Sequence, residues 1–365
     1  MPPAHPLDAV THPDPYPYYA TLARSRPLHR DAALGMWVAA HPATITAVLR
    51  HPAARVRPVH EPVPRGLCPG PAGELFGRFV RMNDSAAHAR LKALLATFIQ
   101  QQEPAAPPLL APAPRDAAGI DRYLYAAPVH AQAAFLGLAP ALHADCAADI
   151  NRFLFALPAI ARADHTAAGH AAAARLVARL QAHLAGPHVT PALRQLCVDA
   201  AQADIPPGMV TANLAGLLFQ SCEAGAGLLG NALVMAGRRG ASHALSRESA
   251  HALIDDVVRH DPPLHNTRRF MAESADIEGQ RIEAGQTVLL VLAAAAQLEP
   301  DAGWIFGAQR HACPGAALAR SHAADALLHL LRAGVDTAAL AARLRYRPLP
   351  NARVPQFDFQ EDSNP

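Results

Sequence analysis

The chain is 365 residues long, 51% hydrophobic and only 17% charged, with a formal net charge of +2, a balance that argues against the basic surface a nucleic acid would need. Five cysteines (Cys68, Cys146, Cys197, Cys222, Cys313) are odd in number, scattered and free of any C-x-x-C pair, which argues against a disulfide framework or a zinc site and fits a reducing cytoplasm. No compositional break divides the sequence, so residues 1–365 are expected to form one large domain.

In chain order, the first segment lacks a basic stretch followed by an apolar run and is expected to be neither a secretory signal nor a membrane anchor. Between Leu28 and Val56, a strand-like stretch (Gly35 to Ala40) and a helical one (Pro42 to Leu49) predict a small β-rich lobe. His60 to Gly77 is rich in Pro and Gly and reads as a loop of the kind that lines binding sites. A second Pro-rich run, Glu103 to Arg115, precedes Ala-rich helical sequence from Asp121 to about Gly186. The longest helical pattern is Met209 to Met235, closing before Gly237 to Gly240. Its length would suit a membrane span, but Asn213, Gln220, Glu223 and Asn231 predict a buried central helix. Asp276 to Leu292 reads as a hairpin ending in a strand over Thr287 to Leu292. The expected fold is mainly α with a small β lobe.

Chemistry concentrates near the end. The run Phe306-Gly307-Ala308-Gln309-Arg310-His311-Ala312-Cys313-Pro314-Gly315 leads directly into a strong helix, so Cys313 stands where a loop becomes a helix and where amide dipoles are expected to favour a thiolate. A lone cysteine at such a place is more often a small buried hydrophobe, and its surroundings must decide. Upstream, Asp256 and Arg259 are spaced to share a helix face, as are His88 and Lys92. By themselves such residues are ordinarily solvated ion pairs and surface charges. No G-x-S-x-G, H-E-x-x-H, phosphate-loop or dinucleotide fingerprint is present.

Taken in order, these segments resemble the bacterial cytochrome P-450 family. Phe306, Gly307, His311, Cys313, Gly315 and Leu318-Ala319-Arg320 match its haem-binding loop, with Gln309 where a second Gly is usual. Asp256-Val257-Val258-Arg259 stands for its Glu-x-x-Arg pair, Met82 to Lys92 for its His-and-basic helix, and Thr267-Arg268-Arg269 for a further propionate-binding segment. Asp14-Pro15-Tyr16-Pro17, Tyr123 to His130 and Pro350-Asn351-Ala352-Arg353 extend the resemblance along the chain. It implies the cytochrome P-450 fold, with haem b between the Met209 to Met235 helix and the Cys313 loop. Cys313 would be the iron ligand, flanked by Phe306 and Gly315, and His88, Lys92, Arg269 and His311 would hold the propionates.

On the long helix, Gln220 to Gly225 resembles the family's Ala-Gly-x-acid-Thr segment: Glu223 keeps the acid, while Ala224 replaces the alcohol. Protons would then pass through Glu223, Ser221, ordered water or the substrate. The implied activity is oxidation of a small organic substrate, in specialised-metabolite tailoring or catabolism, by a soluble cytoplasmic enzyme using O2. Electrons would come from a ferredoxin- or flavodoxin-type donor. The alternatives are a peroxide-driven or non-oxygenating reaction, and a docking module that keeps the fold without catalysis. Substrate is expected against His60 to Gly77, Phe219 to Ala224 and Pro263 to Thr267. The connection from Leu292 to Phe306 is short for the family.

Overall fold

A computed structural model describes residues 1–102, 113–158, 161–241 and 245–359, so most of the Pro-rich run from Glu103 lies outside the described residues. Helices α1 (Pro6–Ala9) and α2 (Tyr16–Ser25) lead into an antiparallel pair, β1 (Leu28–Asp31) and β2 (Met36–Ala39), followed by α3 (Pro42–Arg50) and β3 (Ala54–Arg55). The strand and helix expected over 35–49 are both present. The His41 ring accepts the Ala43 N–H, and Pro42 occupies the first helical turn, where no amide is needed.

His60 to Gly77 departs from the expected loop. A 3-10 turn covers Arg65–Leu67 and α4 spans Pro71–Gly77, because Pro71 sits at the tolerated start of a helix and buried Leu75 and Phe76 pin that helix to the core. After α5 (Ala86–Gln101), the Ala-rich stretch folds as three helices, α6 (Ala117–Phe135), α7 (His143–Phe155) and α8 (Ala163–Ala185), and α9 (Pro191–Gln202) follows.

The central helix, α10 (Pro207–Arg239), outruns its expected end and stops at Gly240, whose φ of 65° is left-handed. It passes through Gly237, where no side chain fits: an added Cβ would lie 2.0 Å from Thr337 O. Three other glycines of α10 receive prolines. A Cβ on Gly225, Gly227 or Gly230 would fall 2.6, 2.7 or 2.5 Å from Pro128, Pro263 or Pro355 respectively. The buried amides of α10 are used rather than exposed: Asn213 donates to Arg78 O and accepts from the Val80 N–H, and Asn231 donates to Asp261 O. Among the described residues, no helix is long and apolar enough to cross a membrane.

After α11 (Arg247–His260) come β4 (Thr267–Met271), β5 (Ala275–Ile277), β6 (Gln280–Ile282), β7 (Thr287–Leu290) and α12 (Leu292–Ala295). The hairpin expected over 276–292 is only the β5–β6 pair, closed by Glu278 and Gly279, both at positive φ. β7 leaves it for the middle of a five-stranded sheet ordered β1-β2-β7-β4-β3, parallel to β2 and antiparallel to β4. Val288, Leu289 and Leu290 are all buried, which an interior strand requires and a hairpin edge does not.

The chain closes with α13 (Ala316–Arg332), α14 (Thr337–Ala342), β8 (Arg345–Tyr346) and β9 (Pro355–Gln356). Here Arg353, 1% exposed, ties the two ends of the sequence together. It donates to Asp261 Oδ1 (2.8 Å), Val10 O (2.9 Å), His12 O (2.8 Å) and Pro13 O (3.2 Å), and its guanidinium lies 3.4 Å from the Tyr346 ring centroid. Tyr16 also donates to Asp261, and Tyr19 bonds His265 Nδ1 at 2.8 Å.

Candidate functional site

The residues before α13 turn twice in 3-10 geometry, at Trp304–Phe306 and Gln309–His311. The Cys313 N–H donates to Phe306 O at 2.7 Å. Gly307 has φ 67° and could carry no Cβ, which would meet His311 O at 2.9 Å. Gln309, where the resemblance led one to expect glycine, also adopts φ 55°. The turn keeps its left-handed residue, and Gln309 bears a cost of about 1–2 kcal/mol for doing so. The Phe306 ring lies under the Arg320 guanidinium at 4.6 Å, so it braces the start of α13.

Cys313 has accessible surface while the protein around it desolvates its thiol, the combination expected of a group that borders an interior space. Burial raises the thiol pKa; the Gly315 N–H, Arg81 and Lys92 pull the other way without prevailing. Desolvation thus opposes the helix junction's preference for a thiolate. A metal ion at the sulphur would deprotonate it outright.

One wall of this space is cationic. Ser85 caps α5 by accepting the His88 N–H, which places His88 and Lys92 on successive turns. His88 stacks on His311 at 5.1 Å and 17°, and its Nε2 is buried with no hydrogen-bond partner. Burial first, then His311 and Lys92, lower its pKa to about 4. His311 Nε2 bonds Asp84 Oδ1 at 2.9 Å, and Arg310 reaches the same oxygen at 3.3 Å and Ala54 O at 2.7 Å. Lys92 donates to Arg310 O. Arg269, 6% exposed, donates only to the adjacent Arg268 O, and burial drives its pKa down to about 10. Asp84, held at about 2 because hydrogen bonds from His311 and the Val56 amide outweigh burial, is the one carboxylate bonded to this group among the described residues.

The structure thus brings His88, Lys92, Arg269, His311 and Cys313 to one region and adds Asp84, Arg310 and Arg81, which the sequence reading did not single out. Arg310 and Asp84 stood inside the quoted motifs, and a cation in the apolar run Phe79-Val80-Arg81-Met82 was the available signal for Arg81.

The opposite wall comes from α10. Glu223 is enclosed but not fully covered; burial raises its pKa, opposed by Arg81. Ala224 follows it with no polar atom to offer. The Ser221 hydroxyl donates to Leu218 O at 2.8 Å and faces Pro128 O on α6 at 3.5 Å. Phe219 is not a free contact surface. It is buried between Phe79 and Phe153, at ring distances of 5.3 and 5.0 Å. Of Pro263 to Thr267, only Leu264 and Thr267 keep accessible surface, since Pro263 seats on Gly227 and His265 belongs to the Arg353 cluster.

Arg259 lies 3.5 Å from Asp256, as the spacing implied, but both are solvent-accessible and Arg259 also grips Asp301 at 2.8 Å in the short connection before the Cys313 loop. Asp256 is shared with Arg239 at 2.6 Å. Next to this network a surface groove of 490 Å³ is lined by His251, Asp255, Arg259, Asp301 and Arg320, among others.

No protein-family profile matches the chain, and no curated protein does. Solved structures do match. CalO2 is 22% identical with a TM-score of 0.74 and 97% of each chain covered. P450BioI, in complex with acyl carrier protein ligated to hexadec-9Z-enoic acid, is 18% identical with a TM-score of 0.70, covering 94% of this chain and 99% of that one. CYP164A2 of Mycobacterium smegmatis is 24% identical with a TM-score of 0.69, covering 96% and 97%. The chain has the cytochrome P450 fold.

Relatives of this fold bind haem, and the residues present fit it. Among the described residues no group of three His, Cys, Asp or Glu could hold a metal ion. Among those residues, too, Lys92 and Arg269 have no carboxylate partner, and His88 Nε2 and Arg310 Nε are buried without any partner, which suits a ligand carrying carboxylates.

Proposed function

We propose that the protein is a haem-thiolate oxidoreductase, a cytochrome P450-type monooxygenase that oxidises a small organic substrate. The observation that carries this reading is the inward-facing Cys313 thiol opposite a cationic wall whose buried donors lack partners. Cys313 would ligate the iron of haem b, and Lys92, Arg269 and Arg310, with His88 and His311, would hold its propionates. When bound, the haem supplies the activation of oxygen that lets a C–H bond or an aromatic ring be oxidised.

The chain's own contribution is positioning and protons. Gly307 and Gln309 set the turn that aims Cys313, and the Gly315 N–H donates toward its sulphur. Glu223, whose carboxyl burial raises, can hold a proton on the α10 side and release it as a general acid. With Ser221 turned toward α6 and Ala224 lacking an alcohol, Glu223 acts with water or with the substrate. Electrons would come from a ferredoxin- or flavodoxin-type protein in the cytoplasm. The missing alcohol also favours a second reading, in which peroxide replaces O2 and the donor, or the product is not an oxygenated one.

The deciding experiment is the carbon monoxide difference spectrum of the dithionite-reduced protein beside that of Cys313→Ala. A strongly red-shifted Soret band lost in the variant is the expected result. Folded wild-type protein that takes up no haem would overturn the enzyme reading in favour of a docking module.

A further inference from the structure

The groove between α11 and the Cys313 loop is bridged by two ion pairs that end on either side of the cysteine. Asp255 and Arg259 stand four residues apart on α11, on one helix face, and both line the groove. Arg259 Nε lies 2.8 Å from Asp301 Oδ1, on the stretch that enters the loop. Asp255 Oδ1 lies 3.1 Å from Arg320 Nε, near the start of the helix that leaves it. One turn of α11 thereby brackets the segment that carries Cys313.

The two arms differ in what they can transmit. The Asp301 side chain is 80% exposed, so its pairing contributes little. Arg320 is less exposed and has a second contact, its guanidinium carbon lying 4.6 Å from the Phe306 ring centroid. Arg320 Nε is buried and makes no aligned hydrogen bond, so charge rather than hydrogen-bond direction joins it to Asp255.

Phe306 is the residue on which the loop closes. Its ring packs against a core to which α10, α11 and α13 all contribute. Its carbonyl accepts the Cys313 N–H at 2.7 Å, and the next residue, Gly307, turns the chain at φ 67°. A shift of the Phe306 ring therefore moves the acceptor that holds the Cys313 backbone. We propose that Arg320 and Asp255 are positioning residues for Cys313, acting through Phe306: the ion pair keeps the guanidinium over the ring, and the ring keeps in place the carbonyl that fixes the Cys313 amide. This deepens the haem-thiolate reading and rests on it for what the thiol does once placed.

The molecule supplies its own control. Arg247 of α11 pairs with Asp325 of α13 at 3.2 Å, joining the same two helices farther along α13 from Cys313. The test compares wild type with Arg320→Met, Arg320→Lys, Asp255→Asn and Arg247→Met. Amide hydrogen exchange at Cys313 is read by mass spectrometry with fragmentation of its peptide, with and without haem, beside urea unfolding of each protein. The proposal expects Arg320→Met to speed Cys313 exchange about fivefold, the combined worth of a part-exposed ion pair and a cation–π contact, and Asp255→Asn about twofold. Arg320→Lys should recover part of the loss. Arg247→Met should leave Cys313 exchange at the wild-type rate, whatever it costs in global stability. With haem bound, Arg320→Met should lose its red-shifted carbon monoxide band faster than Arg247→Met does. Equal exchange at Cys313 in Arg320→Met and Arg247→Met would overturn the proposal and reduce Arg320 to a tie between helices. A wild type without a Soret band would refute the haem reading separately, and exchange in the apoprotein would still decide the role of Arg320.

Discussion

Arg353 and Arg269 are both buried guanidiniums, and they are solved in opposite ways. Arg353 spends its donors on Asp261 and three backbone carbonyls and lies against the Tyr346 ring. Burial would lower its pKa, but Asp261, Tyr346 and Tyr16 outweigh that and hold it above the ordinary arginine value. Arg269 has one backbone carbonyl next to it in sequence, and burial prevails. A buried charge with four of its five donors used holds the fold together. A buried charge left short of partners marks a place where the fold expects something else.

The contrast can be broken by substitution. Arg353→Met should cost about 3–5 kcal/mol, because it strands the buried Asp261 carboxylate and three carbonyls. Urea unfolding of the apoprotein and the haem-loaded protein should show the same loss. Asp149 is a second satisfied cluster: it is 1% exposed and bonded by Arg152 at 3.0 Å and by Arg175 and Arg179 at 2.5 Å. Burial raises its pKa, but the hydrogen bonds from Arg175 and Arg179 outweigh this and hold it below the ordinary value. Its folded pKa is thus below the unfolded one, about 3.9. The stability it contributes is complete above that value and is lost as pH falls through the lower folded pKa. Asp149→Asn should cost about 2 kcal/mol at neutral pH and flatten the acid limb of a stability-against-pH curve.

Arg269→Met should go the other way, leaving the apoprotein unchanged or more stable by about 1–2 kcal/mol while haem dissociates faster. Haem transfer to apomyoglobin measures the second half. A destabilised apoprotein would mean that Arg269 belongs with Arg353 after all. The smallest expected effect is Gln309→Gly, which should stabilise by about 1 kcal/mol in a thermal melt by removing a left-handed non-glycine residue.

Much of the site was legible in the sequence because the Cys313 loop, the Ser85-capped helix and the Thr267 to Arg269 strand are each local patterns. Their convergence followed from resemblance. What was not legible depended on contacts between distant segments. Which way Ser221 turns is decided by α6 packing against α10, and Phe219 is buried because Phe79 and Phe153 come to meet it. The desolvation that raises the Cys313 thiol pKa is not visible in the sequence, whereas the helix terminus is. Likewise β7 looked like a hairpin arm, since its partner β2 lies near the other end of the chain.

That last pairing bears on how the protein is made. Trp37 pairs with Val288, so on the ribosome the β1–β2 ribbon waits, with one edge open, until most of the polypeptide has been synthesised. Closing so long a loop costs entropy before any sheet contact repays it, which makes completion of the sheet a late event.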